Sequence, residues 1–383
     1  MERVTYEGDP NVKLYRAGAV VGLIAGAVVL SACSSSKAAD KKSSSASSTG
    51  TATTSSPATD CASGKLNATG STAQQNAIDQ WIKDYQQACP GATVNYGGGG
   101  SGQGVTDFTQ GNTDFAGSDS ALDPTKGEVE AATKTCGSPA IDIPMVTGPI
   151  AIAFKLNGVT DLTLTPKLLA QIFLGTITTW NDPAIAAANS AATLPSTKIT
   201  VFFRSDESGT TQNFEKYLAA TDPTDFTAEP SKVWPGKVGQ GKSGSQGVQQ
   251  GIAGTEGGIA YLEWSFAGSA NLPTAKVDNG GGAVALTAES AGAAVAAATV
   301  TGTGNDLTLK LDYATKAPGA YPIILVTYEI VCTKYKSAAK GTLVKDFLTY
   351  TSGAGQAGLP DLGYAPLPSS ILTKVQSSVA AIS

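Results

Sequence analysis

The stretch Lys198–Phe214, "KITVFFRSDESGTTQNF", decides how the whole chain is read. Its β-branched and aromatic residues over Lys198–Phe203 predict a strand, which runs directly into Arg204, two acids and Ser208-Gly209-Thr210-Thr211 at the start of a helix. A strand passing into a helix through small polar residues is the repeating unit of an open α/β sheet. The start of such a helix presents unpaired backbone N–H groups and a partial positive charge, and small residues let an anion come close. Arg204 adds a permanent charge and a planar fork of donors, which Asp206 could hold in place. Taken alone, each Ser or Thr here could be only an N-cap, and Arg204–Asp206 only a surface pair of little worth.

Two earlier clusters repeat the pattern. Gly70-Ser71-Thr72 follows a predicted strand at Lys65–Thr69, and Ser101-Gly102 follows another at Ala92–Tyr96. Between them, Ala77, Ile78, Trp81, Ile82 and Tyr85 recur at helical spacing until Pro90-Gly91. The glycine run Gly97–Gly104 is expected to break the second strand, with a short helix over Val105–Gln110 and a strand over Thr113–Ala116. In open α/β sheets, ligands gather beyond the carboxyl ends of the strands, so three converging helix starts would form an anion socket.

Asp119, in "DFAGSDSA", gives that socket a chemical test. A carboxylate repels an anion unless the anion carries a proton to donate. Phosphate near neutral pH is protonated and sulfate is not, so a buried acceptor favours phosphate. The plainer reading of Asp119 is a turn or N-cap acid before "SALDPTK".

Further along, Pro144–Leu156 reads as β, 164–175 as helix, Ala288–Ala298 as helix, and Tyr321–Val331 as a strand covered on both faces. Two amphipathic helices, 340–351 and 369–382, close the chain. Gly236–Ser243 fits the nucleotide-binding pattern G-x-x-x-x-G-K-[ST], but it follows Trp234-Pro235, and Ser243-Gly244-Ser245 is expected to delay any helix. We read it as a Gly-rich loop leading to a helix near "GVQQGI". The glycines of Gly97–Gly102 fit G-x-G-x-x-G, as glycine strings readily do.

The chain has no histidine, which excludes a Ser-His-Asp hydrolase. Its net charge of −5 and lack of a basic run argue against a nucleic-acid partner. Basic residues Arg3, Lys13 and Arg16 precede an apolar run, Ala17–Leu30, too short to span a bilayer. With "LSAC" ending at Cys33, residues 1–32 are expected to be an export signal and Cys33 the lipidated N-terminus that anchors the protein outside the cytoplasm. Residues 33–60, rich in Ser and Thr, read as a linker, leaving a folded part large enough for two lobes.

The four cysteines beyond Cys33 allow three disulfide pairings. Cys61 opens the first strand and Cys89 closes the helix after it, which favours Cys61–Cys89 and, by elimination, Cys136–Cys332. Neither a CxxC pair nor a histidine is available for zinc, and no cofactor is expected.

At these residues the chain resembles the phosphate-binding protein of the bacterial phosphate ABC importer. "GSTAQQNAIDQWIKDY", "VNYGGGGSGQGV", "TDFAGSDSALD", "IFLGTITTWNDPAI", "FRSDESGTTQNFEKYL" and "AYPIILVTYEIV" carry the likeness, which spans nearly all of Cys61–Ser383. The fourth stretch has no role in the reading above.

The resemblance implies an α/β, two-lobed periplasmic-binding-protein-like fold of type II. Each lobe would be a mixed, mostly parallel sheet flanked by helices, with one phosphate in the interlobe cleft. Lobe I is expected over 61–145 plus 321–383 and lobe II over 146–320, with hinges near Met145–Thr147 and Gly319–Pro322. By the same resemblance Thr72 offers a hydroxyl, Ala73 a backbone N–H, Ser101 a hydroxyl, Asp119 the acceptor and Arg204 the charged donor. Ser208, Gly209 and Thr210 would be the donors at the second helix start. Ala73 stands where larger apolar residues are common and Glu207 where glycine is, so Glu207 brings an extra negative charge near the mouth. The expected protein is a monomeric, lipid-anchored receptor, not an enzyme, that passes phosphate to membrane permease subunits. The rival readings are a receptor for sulfate or molybdate, a phosphatase-like surface protein, and an adhesin.

Overall fold

A computed structural model describes Cys61–Ser383. The expected signal segment, the lipidated Cys33 and the linker lie outside the described residues.

Eight strands form the main sheet: β1 (Gly64–Gly70), β2 (Ala92–Gly99), β3 (Phe115–Ser118), β4 (Ala140–Lys155), β5 (Thr200–Arg204), β6 (Gln240–Lys242), β7 (Gly258–Glu263) and β8 (Ile324–Cys332). Their order is β2-β1-β3-β8-β4-β7-β5-β6. The outer pairs, β2 with β1, β1 with β3, β7 with β5 and β5 with β6, are parallel. The three central pairings are antiparallel.

β4 connects the two halves. Its residues Ala140–Pro149 pair with β8, and Ile150–Lys155 pair with β7. All but the end residues of β4 are buried, as are all nine of β8. Their mostly apolar, buried runs are therefore those of central strands covered on both faces, with Asp142, Thr147, Thr327 and Glu329 as buried polar exceptions. The pairing slips between Thr327 and Tyr328, where Met145 is left over opposite β8.

Four helices matter for the site: α1 (Gln75–Ala88), α2 (Ser101–Thr109), α3 (Gly209–Thr221) and α4 (Gly244–Ala253). α1 buries Ala77, Ile78, Trp81 and Tyr85, the expected face. Ser208 caps α3 by accepting from the Thr211 N–H at 3.2 Å.

Two expectations are corrected. The glycine run after Tyr96 does not break β2, because Gly97–Gly99 continue it and α2 begins at Ser101, not Val105. Gly100, at φ 93°, makes the turn, a conformation that costs glycine little. Likewise no delay follows Ser243. α4 starts at Gly244, and β6 lies inside the Gly236–Ser243 pattern rather than before it. The loop therefore cannot form a single phosphate cradle, although its helix comes at once.

Both disulfides are present, Cys61–Cys89 and Cys136–Cys332. The stretch Ile172–Ile185, which lacked a role, is core: Phe173 packs edge-on against Phe214 and Trp234, and the Trp180 indole N–H donates to the Gly257 carbonyl.

Candidate functional site

Every outer strand delivers a polar residue to one place as it ends. β1 leads to Ser71 and Thr72, β2 to Ser101 and β3 to Asp119. From the other half, β5 ends in Arg204, β6 leads to Ser245 and β7 ends in Glu263. The two sets meet. Thr72 and Ser245 hydroxyls lie 2.9 Å apart, the Gly102 N–H donates to the Glu207 carbonyl at 3.0 Å, and Asn213 donates to the Asp119 carbonyl at 2.8 Å. Gly209 permits the approach, since a Cβ there would fall about 2.5 Å from both Asp119 Cβ and Ser101 Oγ.

Asp119 is buried and surrounded by hydroxyls. Its Oδ1 accepts from Ser71 at 2.6 Å and from Thr327 of β8 at 2.7 Å, and its Oδ2 accepts from Ser101 at 3.2 Å. Burial pushes its carboxyl up to about 6, against the pull of Ser71 and Thr327. Burial thus makes this carboxyl easier to protonate than an ordinary aspartate, while both its oxygens stand as acceptors.

Arg204 is buried opposite. Its Nε donates to Asp206 Oδ1 at 2.8 Å and its Nη2 to Asp206 Oδ2, so one edge of the guanidinium is fixed by a two-bond pair. Burial works against the charge of Asp206, yet Arg204 and the Gly244 N–H hold it below the usual carboxylate range. The remaining nitrogen, Nη1, points to Ser245 Oγ at 3.3 Å and Thr210 Oγ1 at 3.5 Å.

The expected residues Thr72, Ser101, Asp119, Arg204, Gly209 and Thr210 therefore come together. Ala73 and Ser208 lie beside them with their N–H groups engaged, the first by Ser71 Oγ at 3.0 Å and the second by the Lys232 carbonyl at 2.8 Å. Glu207 is an exposed rim residue.

Sequence reasoning placed Ser71 in a polar cluster without giving it a role, and missed Thr327, Ser245, Asn213, Tyr261 and Glu263. Thr327 and Glu263 carried a usable signal, being polar residues inside or ending apolar runs where every buried polar group needs a partner. Ser245 was set aside with its Gly-rich loop. A cavity of about 650 Å³ opens beside Asp119 and Asn213, and it is lined by Lys126, Lys216, Lys232 and Lys310 together with Asp123, Glu128 and Glu229. Its charges of both signs make it no simple anion funnel.

A model of the PBP superfamily domain matches residues 55–354, which sets the class. The chain is 47% identical over 379 residues to "Phosphate-binding protein PstS 3" of Mycobacterium tuberculosis, covering 97% of this chain and 100% of the relative. It is 32% identical to "Phosphate-binding protein PstS" of Xylella fastidiosa, covering 96% and 98%. It therefore belongs to the bacterial PstS family of phosphate-binding proteins.

Among solved structures, the ancestral soluble variant of the human phosphate binding protein superposes with a TM-score of 0.66 at 25% identity, covering 82% of this chain and 93% of that one. A high-affinity periplasmic phosphate-binding protein bound with phosphate gives 0.67 at 24% identity over the same shares, a likeness of fold. The architecture is accordingly the two-lobed, mixed α/β periplasmic-binding fold of type II.

Proposed function

We propose that the protein is a receptor that captures inorganic phosphate outside the cytoplasm and delivers it to an ABC importer, breaking no bond. The observation that carries this reading is the opposition of Asp119, held by three hydroxyl donors, to the Arg204 arm that reaches Ser245 and Thr210 across the junction of the two sheet halves. A protonated oxyanion placed there donates a hydrogen bond from its OH to Asp119 and receives hydrogen bonds from Arg204 and the starts of α1, α2 and α3.

In this reading Thr72, Ala73, Ser101, Asp119, Arg204, Ser208, Gly209 and Thr210 hold the ligand. Ala73 and Ser208 do so only if their N–H groups exchange Ser71 Oγ and the Lys232 carbonyl, partners within their own lobes, for the ligand. Lobe I is 61–145 plus 321–383 and lobe II is 146–320, with closure turning on hinges near Met145–Thr147 and Gly319–Pro322. The receptor acts as a monomer, tethered through lipidated Cys33, and its closed form docks on the permease subunits.

Calorimetric titration of the mature chain with phosphate and with sulfate tests the reading. Tight binding of phosphate with weak binding of sulfate is expected; equal affinities, or none for phosphate, would sink it. Mass spectrometry of the membrane-derived protein, seeking a diacyl mass on Cys33, tests the tether.

A further inference from the structure

Among the described residues, four ion pairs stay inside one of the two lobes proposed above. Asp123 with Lys126 and Asp114 with Lys340 belong to the first, Arg204 with Asp206 and Asp161 with Lys276 to the second. A fifth pair crosses between them. Lys232, in the segment between α3 and β6, places its Nζ 3.7 Å from Oε1 of Glu128, the first residue of the helix Glu128–Cys136. The two side chains are only 9% and 16% exposed.

Each member is tied to one wall of the cleft. Glu128 Oε2 accepts the Asp123 N–H at 2.8 Å, on the turn that follows Asp119. The Lys232 carbonyl accepts at 2.8 Å the N–H of Ser208, which caps α3. Nearer the ligand the same seam is closed by the Ser120 hydroxyl on Gln212 and by Asn213 on the Asp119 carbonyl.

Charge decides what the crossing pair does. Lys216 lines the same cavity, close enough to Lys232 for the two to repel, and Asp123 is already paired with Lys126. Without Glu128, closing the cleft would take Lys232 out of water beside another cation. Without Lys232, Glu128 would be largely buried with only a backbone donor. Removing one member of such a pair costs the closed form much more than breaking an exposed pair would. Once the lobes part, either ion regains water and the cost disappears.

We propose that Glu128 and Lys232 are positioning residues that clasp the closed cleft and retain phosphate without touching it. This rests on the phosphate reading above. The pair forms after the ligand has entered, so its effect falls on release and not on capture.

The test uses the full mature chain with inorganic phosphate. Kd is read by calorimetry, and the release rate by chasing labelled phosphate with unlabelled. Glu128→Gln, which keeps an acceptor for the Asp123 N–H, and Lys232→Met, which keeps the stem of the side chain, should each raise Kd about tenfold through faster release. The double variant should release phosphate about as fast as either single one, because the second change breaks a pair already lost. The urea midpoint of the phosphate-free protein should stay at the wild-type value in all three.

Unchanged release in both single variants overturns the proposal. So does a double variant whose effects multiply to about a hundredfold, since the residues would then act separately. A fall in the phosphate-free midpoint that matches the loss of affinity would mark a structural pair and overturn it too. If Glu128→Gln misfolds, Lys232→Met decides alone. Wild-type protein that binds no phosphate removes the phosphate reading and this inference with it, whereas tight binding with unchanged release removes only the inference.

Discussion

The half of the sheet built from β1, β2, β3 and β8 is held by two disulfides, whereas the half built from β5, β6 and β7 has none among the described residues. In the first half, Cys61–Cys89 ties the approach to β1 to the end of α1, and Cys136–Cys332 ties the helix Glu128–Cys136 to the end of β8. In the second, a cluster of rings does the holding. Phe214 of α3 stacks on Tyr261 at 4.7 Å and on Trp234 at 5.9 Å, with Phe173 edge-on at 5.0 Å.

The cleft faces differ in the same sense. The first presents an acceptor among hydroxyls, the second a cation anchored by Asp206. Tyr261 links ring cluster to site, because its hydroxyl receives the Arg204 N–H at 3.3 Å and lies 2.7 Å from Thr211 Oγ1. The donor face is therefore positioned by packing, and the acceptor face by elements stapled covalently.

The contrast breaks most sharply at Arg204. Arg204→Ala should weaken phosphate binding by about 3–5 kcal/mol, since it strands Asp206 as a partly buried, unpaired charge. Calorimetry checks this, and a loss below about 1 kcal/mol would take Arg204 out of the pocket. The staples can be ranked against each other. Cys136–Cys332 spans 196 residues and Cys61–Cys89 spans 28, so replacing the first pair with serine should cost about 1–2 kcal/mol more in urea unfolding than replacing the second. Equal midpoints would mean that the unfolded chain is not what these bridges restrain.

Asp119→Asn should lower the preference for phosphate over sulfate by about 1–3 kcal/mol, read from paired titrations; an unchanged ratio moves selectivity elsewhere. The smallest effect concerns Glu329, behind Asp119, whose carboxyl burial pushes up to about 8 from its ordinary 4.5. The folded state then keeps a proton that the unfolded chain releases, so this contribution is whole below pH 4.5 and fades as pH rises to 8. Glu329→Gln should flatten that decline in Tm against pH. A slope like the wild type's would show that Glu329 does not hold the proton.

Much of this was legible before any coordinates. Helical spacing from Ala77 to Tyr85 and the apolar runs of β4 and β8 follow from local periodicity, and the three strand-to-helix junctions follow from where small polar residues end a run. Asp119 and Arg204 stood out because charge at such junctions is chemically pointed. Thr327 and Glu263 were polar exceptions inside or ending apolar runs, and Ser245 sat in a Gly-rich stretch, but nothing local told which distant partner each would meet.

The residue types and junctions were thus determined by the sequence alone, because they depend on neighbours a few positions away. Which junctions face one another was decided only by tertiary structure. Thr72 reaches Ser245 across 173 positions and Thr327 reaches Asp119 across 208. Such pairs exist only once β4 and β8 have joined the two halves, and only then does burial set the charge state of Asp119.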